Sequence, residues 1–133
     1  MFTSVGAIIK FDNKYLLQLR DDKPNIYFPN YWGLFGGATE ANEEPIDAVR
    51  REILEEISLE IKNVSIFLTL TIETKFFENI RKRIFFKCNI DSASSIVLNE
   101  GQSFKFYEFN EIQSLKIVPF DFSAIAFYEH NQL

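Results

Sequence analysis

Residues 37–59 read GATEANEEPIDAVRREILEEISL, and carboxylates are concentrated in this stretch. It holds seven acidic and two basic residues, a net charge of −5. The whole chain of 133 residues also carries −5, so the remainder is balanced in charge. We therefore expect something positively charged to bind here, although a solvated helix face also explains a run of charge.

The same stretch predicts a helix over residues 45–59. Pro45 suits the first turn of a helix, and acidic residues gather at that end, where the helix dipole favours them. Apolar residues recur at helical spacing within about 80° of arc, which predicts a stripe that faces the core. The stripe consists of Ile46, Val49, Ile53 and Ile57.

Three glutamates, Glu52, Glu55 and Glu56, share one face of the predicted helix, spanning about 100° of arc. That face flanks the apolar stripe, so we expect it to border the core at the wall of a cleft. Glu52 and Glu56 repel each other, and a hard divalent cation would reverse that interaction. Oxygen ligands without imidazole or thiolate favour magnesium, manganese or calcium. A carboxylate free of the metal can take a proton from water, so the pattern indicates metal-assisted hydrolysis of a phosphate anhydride.

The spacing of these residues resembles the Nudix box. That box reads glycine, five residues, glutamate, seven residues, Arg-Glu-aliphatic, one residue, Glu-Glu, one residue and Gly-aliphatic. Ser58 replaces the last glycine, and Phe35 stands where many members carry proline before the paired glycines. The other fixed positions match at Gly37, Glu43, Arg51, Glu52, Ile53, Glu55, Glu56 and Leu59.

The resemblance extends over the whole chain and implies a small, MutT-type Nudix hydrolase, a single domain over residues 1–133. The mixture of strands and helices itself predicts one layered α/β or α+β domain. The family implies a Nudix-like α/β/α sandwich with a mixed β-sheet between helices. It also implies cleavage by water of a nucleoside diphosphate linked to another moiety, with nucleoside triphosphates among the candidates.

Roles for individual residues also follow from the resemblance. Mg²⁺, with Mn²⁺ as a substitute, would be bound by Gly36, Glu52, Glu55, Glu56 and Glu100. One of the helix glutamates would act as the base. Glu43 and Arg51 would form a salt bridge that holds the preceding loop against the helix.

Substrate contacts are expected at Arg20, Gly37 and Asp121. A surface charge at a strand end is the alternative for Arg20, and a helix N-cap is the alternative for Asp121. The family glycine at the helix end takes a left-handed conformation, which costs a serine about 1 kcal/mol at Ser58.

The rest of the chain reads as strands, loops and one more helix. A turn at residues 12–14 joins the first two strands, a loop covers residues 21–32, and a hairpin around Glu78 and Asn79 pairs two later strands. We expect Asp121 to cap the last helix. The predicted strands are residues 5–9, 15–19, 64–74, 84–90 and 104–109, and the last helix is 122–130.

Several side chains have two interpretations. Arg81, Lys82 and Arg83 attract a polyphosphate or form a solvated hairpin end. The aromatic residues before the glycine turn stack on a base or pack the loop against the core. They are Phe28, Tyr31 and Trp32.

Composition excludes several classes of function. Cys88 is the only cysteine, which excludes an internal disulfide and a cysteine-cluster metal site and fits a reducing cytoplasmic compartment. His130 is the only histidine, which argues against a histidine-based zinc site and a Ser-His-Asp triad. No apolar run is long enough for a membrane span, and the negative net charge argues against a nucleic-acid polymer as partner. The expected partner is a small nucleotide, bound by a monomer or homodimer.

Two other functions stay open. A Nudix fold can sense a nucleotide without turnover, although such domains usually lose a box carboxylate. An isomerase similar to the isopentenyl diphosphate isomerases would need a catalytic cysteine, and Cys88 in a predicted core strand is the one candidate.

Overall fold

The computed structural model describes residues 2–73, 75 and 79–131. Within these residues, seven strands and three α-helices follow one another in a mixed order, with one 3₁₀ turn at Ala93–Ser95. The strands are β1 (Phe2–Phe11), β2 (Lys14–Leu19), β3 (Trp32–Gly33), β4 (Phe35–Ala38), β5 (Lys62–Ile72), β6 (Arg81–Asn89) and β7 (Ser103–Tyr107). The helices are α1 (Pro45–Ile57), α2 (Phe109–Ile112) and α3 (Pro119–Asn131).

The sheet is mixed and is built around β1. β1 pairs in parallel with β6 and antiparallel with β2 and β4, and the strand order is β3-β2-β1-β6-β5 with β7 on β2. The expected α/β fold with a mixed sheet is confirmed.

Successive residues of β1 point to opposite faces of the sheet and feed two separate apolar clusters. Ala7 and Ile9 pack in the cluster that contains the α1 residues Val49 and Ile53. Ile8 packs in the cluster that contains Ile125 of α3. The sheet therefore lies between α1 and α3, as in the sandwich expected from the sequence.

A two-residue turn joins β1 and β2. Asp12 and Asn13 have φ of 53° and 62°, the left-handed values that a type I′ hairpin turn requires. The turn predicted over residues 12–14 is confirmed, except that Lys14 already belongs to β2.

Helix α1 departs from the sequence prediction in two respects. It ends at Ile57 rather than at residue 59, and Ile46, placed in the buried stripe, is 38% exposed. Ile46 lies in the first turn of the helix. The buried face of α1 instead includes Ala48. Glu56 therefore lies within the buried face, whereas the sequence placed it beside that face.

The C-terminal third also differs from prediction. β7 ends at Tyr107, and the unpredicted helix α2 begins at Phe109 behind a capping box of Glu108 and Glu111. Because Pro119 starts α3, Asp121 lies inside its first turn, and the expected N-cap role is wrong.

The predicted pairing of two strands after α1 is confirmed as antiparallel β5 and β6. Thr74 and Glu78, which the prediction placed at a strand end and in the turn, lie outside the described residues. The basic run at residues 81–83 is the start of β6. A solvated hairpin end is therefore wrong for Arg83, whose guanidinium is largely buried against Asp121.

No helix within the described ranges has the length and apolar character needed to cross a membrane.

Candidate active site

A double hydrogen bond fastens the loop before α1 to the helix. Arg51 Nε lies 2.8 Å from Glu43 Oε2, and Arg51 Nη2 lies 3.0 Å from Glu43 Oε1. Nη2 also donates to the carbonyl of Ala38 at 3.1 Å. The hydrogen bonds from Arg51 lower the pKa of Glu43. The salt bridge expected from the sequence is present and joins β4, the loop and α1.

Arg51 also contacts two of the three helix glutamates. Its Nη1 lies 3.0 Å from Glu52 Oε1 and 3.2 Å from Glu55 Oε2. The hydrogen bonds to Glu43, followed by the contact with Glu52, raise the pKa of Arg51. Several carboxylates therefore surround one guanidinium, and the local charge remains negative.

Glu56 is the most buried of the helix glutamates, with 4% of its surface exposed. The backbone N–H of Gly36 donates to Oε1 at 2.9 Å, and the Gln18 amide lies 3.5 Å from Oε2. Burial, followed by the charges of Glu52 and Glu100, raises the pKa of Glu56 to about 8. A negative charge at this position therefore lacks adequate compensation from the protein.

Two glycines of β4 let the backbone approach the carboxylates. Gly36 has φ of +152°, and a Cβ there would lie 2.0 Å from the carbonyl oxygen of Val5. A Cβ at Gly37 would lie 2.6 Å from the carboxyl carbon of Glu52. Only glycine therefore fits the observed geometry at both positions.

A polar cavity of about 170 Å³ opens beside Glu56. It brings together several residues that the sequence singled out, but Glu52 and Glu55 are outside its lining and contact Arg51 instead. The lining includes Gln18, Arg20, Gly36, Glu56 and Glu100.

The oxygen donors here fit a hard divalent cation. Burial is the main reason why the pKa of Glu52, like that of Glu56, is raised, and the charge of Glu100 raises both further, so these carboxylates repel one another. Within residues 2–73, 75 and 79–131, no three Asp, Glu, His or Cys side chains are already gathered as a metal centre. Glu52 and Glu55 are turned towards Arg51, and a cation would compete with that guanidinium for them.

A second cavity, of about 180 Å³, lies on the other side of Arg20 and is mainly aromatic and basic. Arg20 lines both cavities and donates from Nε and Nη2 to the carbonyl of Tyr27, at 3.1 and 2.8 Å. The lining includes Arg20, Tyr27, Phe28, Arg83, Phe120 and Asp121.

Asp121 sits in this second cavity with both carboxylate oxygens occupied. Oδ1 accepts from Arg83 Nε at 3.0 Å, and Oδ2 accepts from the backbone N–H of Leu34 at 3.0 Å. Arg83 also donates to Ser4 Oγ and to the carbonyl of Val5, both at 3.1 Å. Asp121 therefore orients Arg83 and joins α3 to the sheet.

The three aromatic residues before the glycine turn have different surroundings. Phe28 lines the second cavity, and Tyr31 packs against it edge-on with the ring centroids 5.2 Å apart. Trp32 packs edge-on against Tyr107 at 5.1 Å, as the packing alternative predicted.

Sequence reasoning missed two residues of these cavities. Gln18 is a buried polar residue in a strand whose neighbours are leucines, and that interruption was the available signal. Arg83 was grouped with its basic neighbours, although it faces Ser4 in the parallel register of β1 and β6.

Cys88 is buried in the cluster on the α1 side of the sheet, as expected. Burial raises the pKa of its thiol to about 12, and neither cavity described above is lined by it. The thiol therefore lacks the thiolate character of a catalytic cysteine, which argues against the isomerase.

Comparison with known proteins assigns the chain to a family. The NUDIX domain profile matches residues 2–128. Nucleoside triphosphatase NudI of Escherichia coli O139:H28 is 34% identical over 84 residues, which cover 62% of this chain and 55% of that protein. The chain thus spans about half the length of the curated relatives it matches.

Solved structures show the same fold at lower identity. A MutT protein from Methanosarcina mazei Go1 matches with a TM-score of 0.79 and 21% identity, covering 99% of this chain and 96% of that one. The NUDIX domain of Shewanella oneidensis NrtR, complexed with ADP ribose, matches with a TM-score of 0.83 and 15% identity, covering 100% and 89%. Because the NUDIX profile covers nearly the whole described chain, the protein belongs to the NUDIX family.

Proposed function

We propose that the protein is a magnesium-dependent Nudix hydrolase that cleaves a phosphoanhydride bond of a nucleoside diphosphate linked to another moiety. Glu56 and Glu100 carry the proposal, because both line one polar cavity of about 170 Å³ and their charges repel each other and that of Glu52 on the preceding turn of α1. A nucleoside triphosphate is the first substrate to test, since the curated relative is named a nucleoside triphosphatase.

The helix glutamates would hold the cation together with the Gly36 carbonyl and Glu100. When bound, Mg²⁺ supplies charge neutralisation at the phosphate oxygens. Glu43 and Arg51 hold the loop on α1 and thereby fix the direction of Glu52 and Glu55.

Hydrolysis adds water across the anhydride. The oxygen of water forms a bond to one phosphorus, and the bond from that phosphorus to the bridging oxygen breaks. One of the site carboxylates takes the proton of the attacking water. The second phosphate leaves with the bridging oxygen and its electron pair.

Arg20 and Gly37 would bind the substrate between the two cavities. Arg20 lines both of them, so its guanidinium is placed to contact a phosphate while the nucleoside lies against the aromatic side. Asp121 would act through Arg83 in the second cavity.

The test is a magnesium-dependent screen over nucleoside triphosphates, nucleotide sugars, ADP-ribose and dinucleoside polyphosphates. Product masses from ¹⁸O-labelled water locate the attacked phosphorus. We expect turnover of at least one group and nearly complete loss in Glu56→Gln with the fold retained. Glu44→Gln, at the N-cap of the same helix, is the matched control and should keep activity. Full turnover by Glu56→Gln would rule out the metal assignment.

The second candidate is a nucleotide-sensing module without turnover. The ADP ribose bound to the NrtR NUDIX domain supports it. Calorimetric binding of a nucleotide, with no product from any substrate of the screen, would favour this candidate over the hydrolase.

We further propose that residues 1–133 act as one Nudix domain on a small nucleotide in the cytoplasm, as a monomer or homodimer. The single, buried thiol of Cys88 supports a reducing compartment.

A further inference from the structure

A short segment after the 3₁₀ turn, residues 97–102, crosses the end of α1 and is called the strap here. Three hydrogen bonds from the strap cap backbone carbonyls in the last turn of α1. The backbone N–H of Val97 donates to Ile57 O at 3.1 Å, and that of Asn99 donates to Glu56 O at 2.8 Å. The Asn99 amide donates to Glu55 O at 3.0 Å. The strap therefore binds the carbonyls of two helix glutamates.

Ser58 adds a bond that the glycine of the Nudix box cannot make. Ser58 is the left-handed C-cap of α1, with φ of 59° and ψ of 33°. Its hydroxyl oxygen accepts a hydrogen bond from the Asn99 amide at 2.9 Å. Ser58, which stands where the box has glycine, therefore has a hydrogen-bond partner 41 residues later in the chain.

The other end of the strap is fastened to β2. Gln102 donates from its backbone to Leu19 O at 2.9 Å and from its side chain to Arg20 O at 2.8 Å. Between the two ends, Gly101 has φ of +87°, and a Cβ there would lie 2.8 Å from Gln18 Oε1. The strap therefore follows one path, and that path places Glu100 in the wall of the polar cavity with Glu56.

We propose that Ser58 and Asn99 are positioning residues, whose hydrogen bond holds the strap on α1 so that Glu100 faces Glu56 across the cavity. Neither residue touches substrate or cation in this role. The inference rests on the proposed function, because the position of Glu100 matters only if the cavity holds a divalent cation.

The decisive variants separate stability from metal affinity. Ser58→Gly relieves the left-handed backbone and removes the hydroxyl, so we expect a higher Tm in EDTA together with weaker cation binding. Ser58→Thr keeps the hydroxyl on a residue that disfavours positive φ, so we expect a lower Tm with affinity retained. A purely structural role for Ser58 would move stability and affinity in the same direction.

Asn99→Leu tests the other partner at nearly constant size. It replaces the amide by methyl groups, so both bonds are lost and no charge is added. Asn131→Leu is the matched control, because the Asn131 amide donates to Phe127 O at 2.8 Å at the end of α3. We expect weaker cation binding in the first variant and unchanged binding in the second.

The measurement is a titration of the full chain with Mn²⁺ alone, followed by electron paramagnetic resonance of the free ion, with Tm recorded in EDTA. We expect Ser58→Gly and Asn99→Leu to weaken Mn²⁺ binding by about tenfold, the smaller of the effects seen when a partner of a metal ligand is changed. If both bind Mn²⁺ as tightly as the unaltered chain while Glu56→Gln does not bind it, the positioning role is overturned and the proposed function stands. If the unaltered chain binds no Mn²⁺ and hydrolyses nothing, the proposed function fails and this inference fails with it.

Discussion

The carboxylate of Glu52 occupies the space that a side chain on Gly37 would need. A Cβ at Gly37 would meet all three terminal atoms of that carboxyl group at 2.6–2.7 Å. One backbone position of β4 thus decides where a glutamate of α1 can point.

Gly37→Ala should therefore displace Glu52 without unfolding the chain, because the carboxyl group lies at the far end of a flexible side chain. We expect a Tm near that of the unaltered protein in EDTA and metal-dependent turnover reduced by about tenfold or more. Gly36→Ala provides the contrast. Its Cβ would meet the backbone oxygen of Val5 at 2.0 Å, so it should lower the Tm itself. Unchanged turnover in Gly37→Ala would contradict the assignment of Glu52.

Arg51→Lys should weaken both the fold and the site. A lysine cannot reproduce the two parallel bonds to Glu43 while also reaching Glu52 and Glu55. We expect a loss of about 1 kcal/mol in the free energy of unfolding, since the group is partly exposed. Urea denaturation measures it, with turnover assayed in parallel. Arg50→Lys is the control, because Arg50 donates to the Ile61 carbonyl at 3.0 Å and should cost less in both assays.

Asp121→Asn should destabilise the protein in the absence of any ligand. The change removes the charge that faces Arg83 in a largely buried pair, and breaking such pairs costs about 3–5 kcal/mol. Thermal unfolding without nucleotide measures the loss, and the double change Arg83→Met with Asp121→Leu should recover part of it. If Asp121→Asn alters substrate preference and leaves the Tm unchanged, Asp121 reads the base directly.

Tyr15→Phe should make the free energy of unfolding depend less on pH, in both the acidic and the alkaline range. Burial, followed by the hydrogen bond to Glu129, raises the pKa of Tyr15 above its ordinary value of 10.0, and the same bond lowers the pKa of Glu129 below 4.5. The contribution of Tyr15 is therefore complete below pH 10 and is lost at higher pH. That of Glu129 is complete above pH 4.5 and is lost as the pH falls.

Urea denaturation at about pH 4, 7 and 10.5 tests this, because the difference between the two proteins should be largest at pH 7. Tyr31→Phe, on the loop before β3, is the control. A constant difference between Tyr15→Phe and the unaltered protein at all three pH values would contradict the role of the Tyr15–Glu129 bond.

Local periodicity was sufficient to predict most of α1 and the pairing of β1 with β2 and of β5 with β6. Those features depend on residues close together in the chain, such as Asp12 and Asn13 in their turn. The left-handed end of α1 at Ser58 was also predictable, because the box carries glycine there.

The burial of Glu56 and the pairing of Arg83 with Asp121 depend on how distant elements meet. Arg83 and Asp121 are 38 residues apart, and the direction of Arg83 follows from its place beside Ser4 in a parallel strand pair. A sequence read segment by segment contains no signal for that register. For Gln18 the sequence offered a polar residue between two leucines as a signal, but its contact with Glu56 depends on the packing of α1 on the sheet.

Because Cys88 is buried, a dye can be attached selectively to a cysteine introduced on the surface of this protein. Cys88 is 5% exposed, and no second cysteine occurs in the sequence. An introduced surface cysteine, as in Ser94→Cys, would be the one group in the folded chain that reacts readily with a maleimide dye. Fluorescence from that single attachment point near the strap could then follow nucleotide and cation binding in real time.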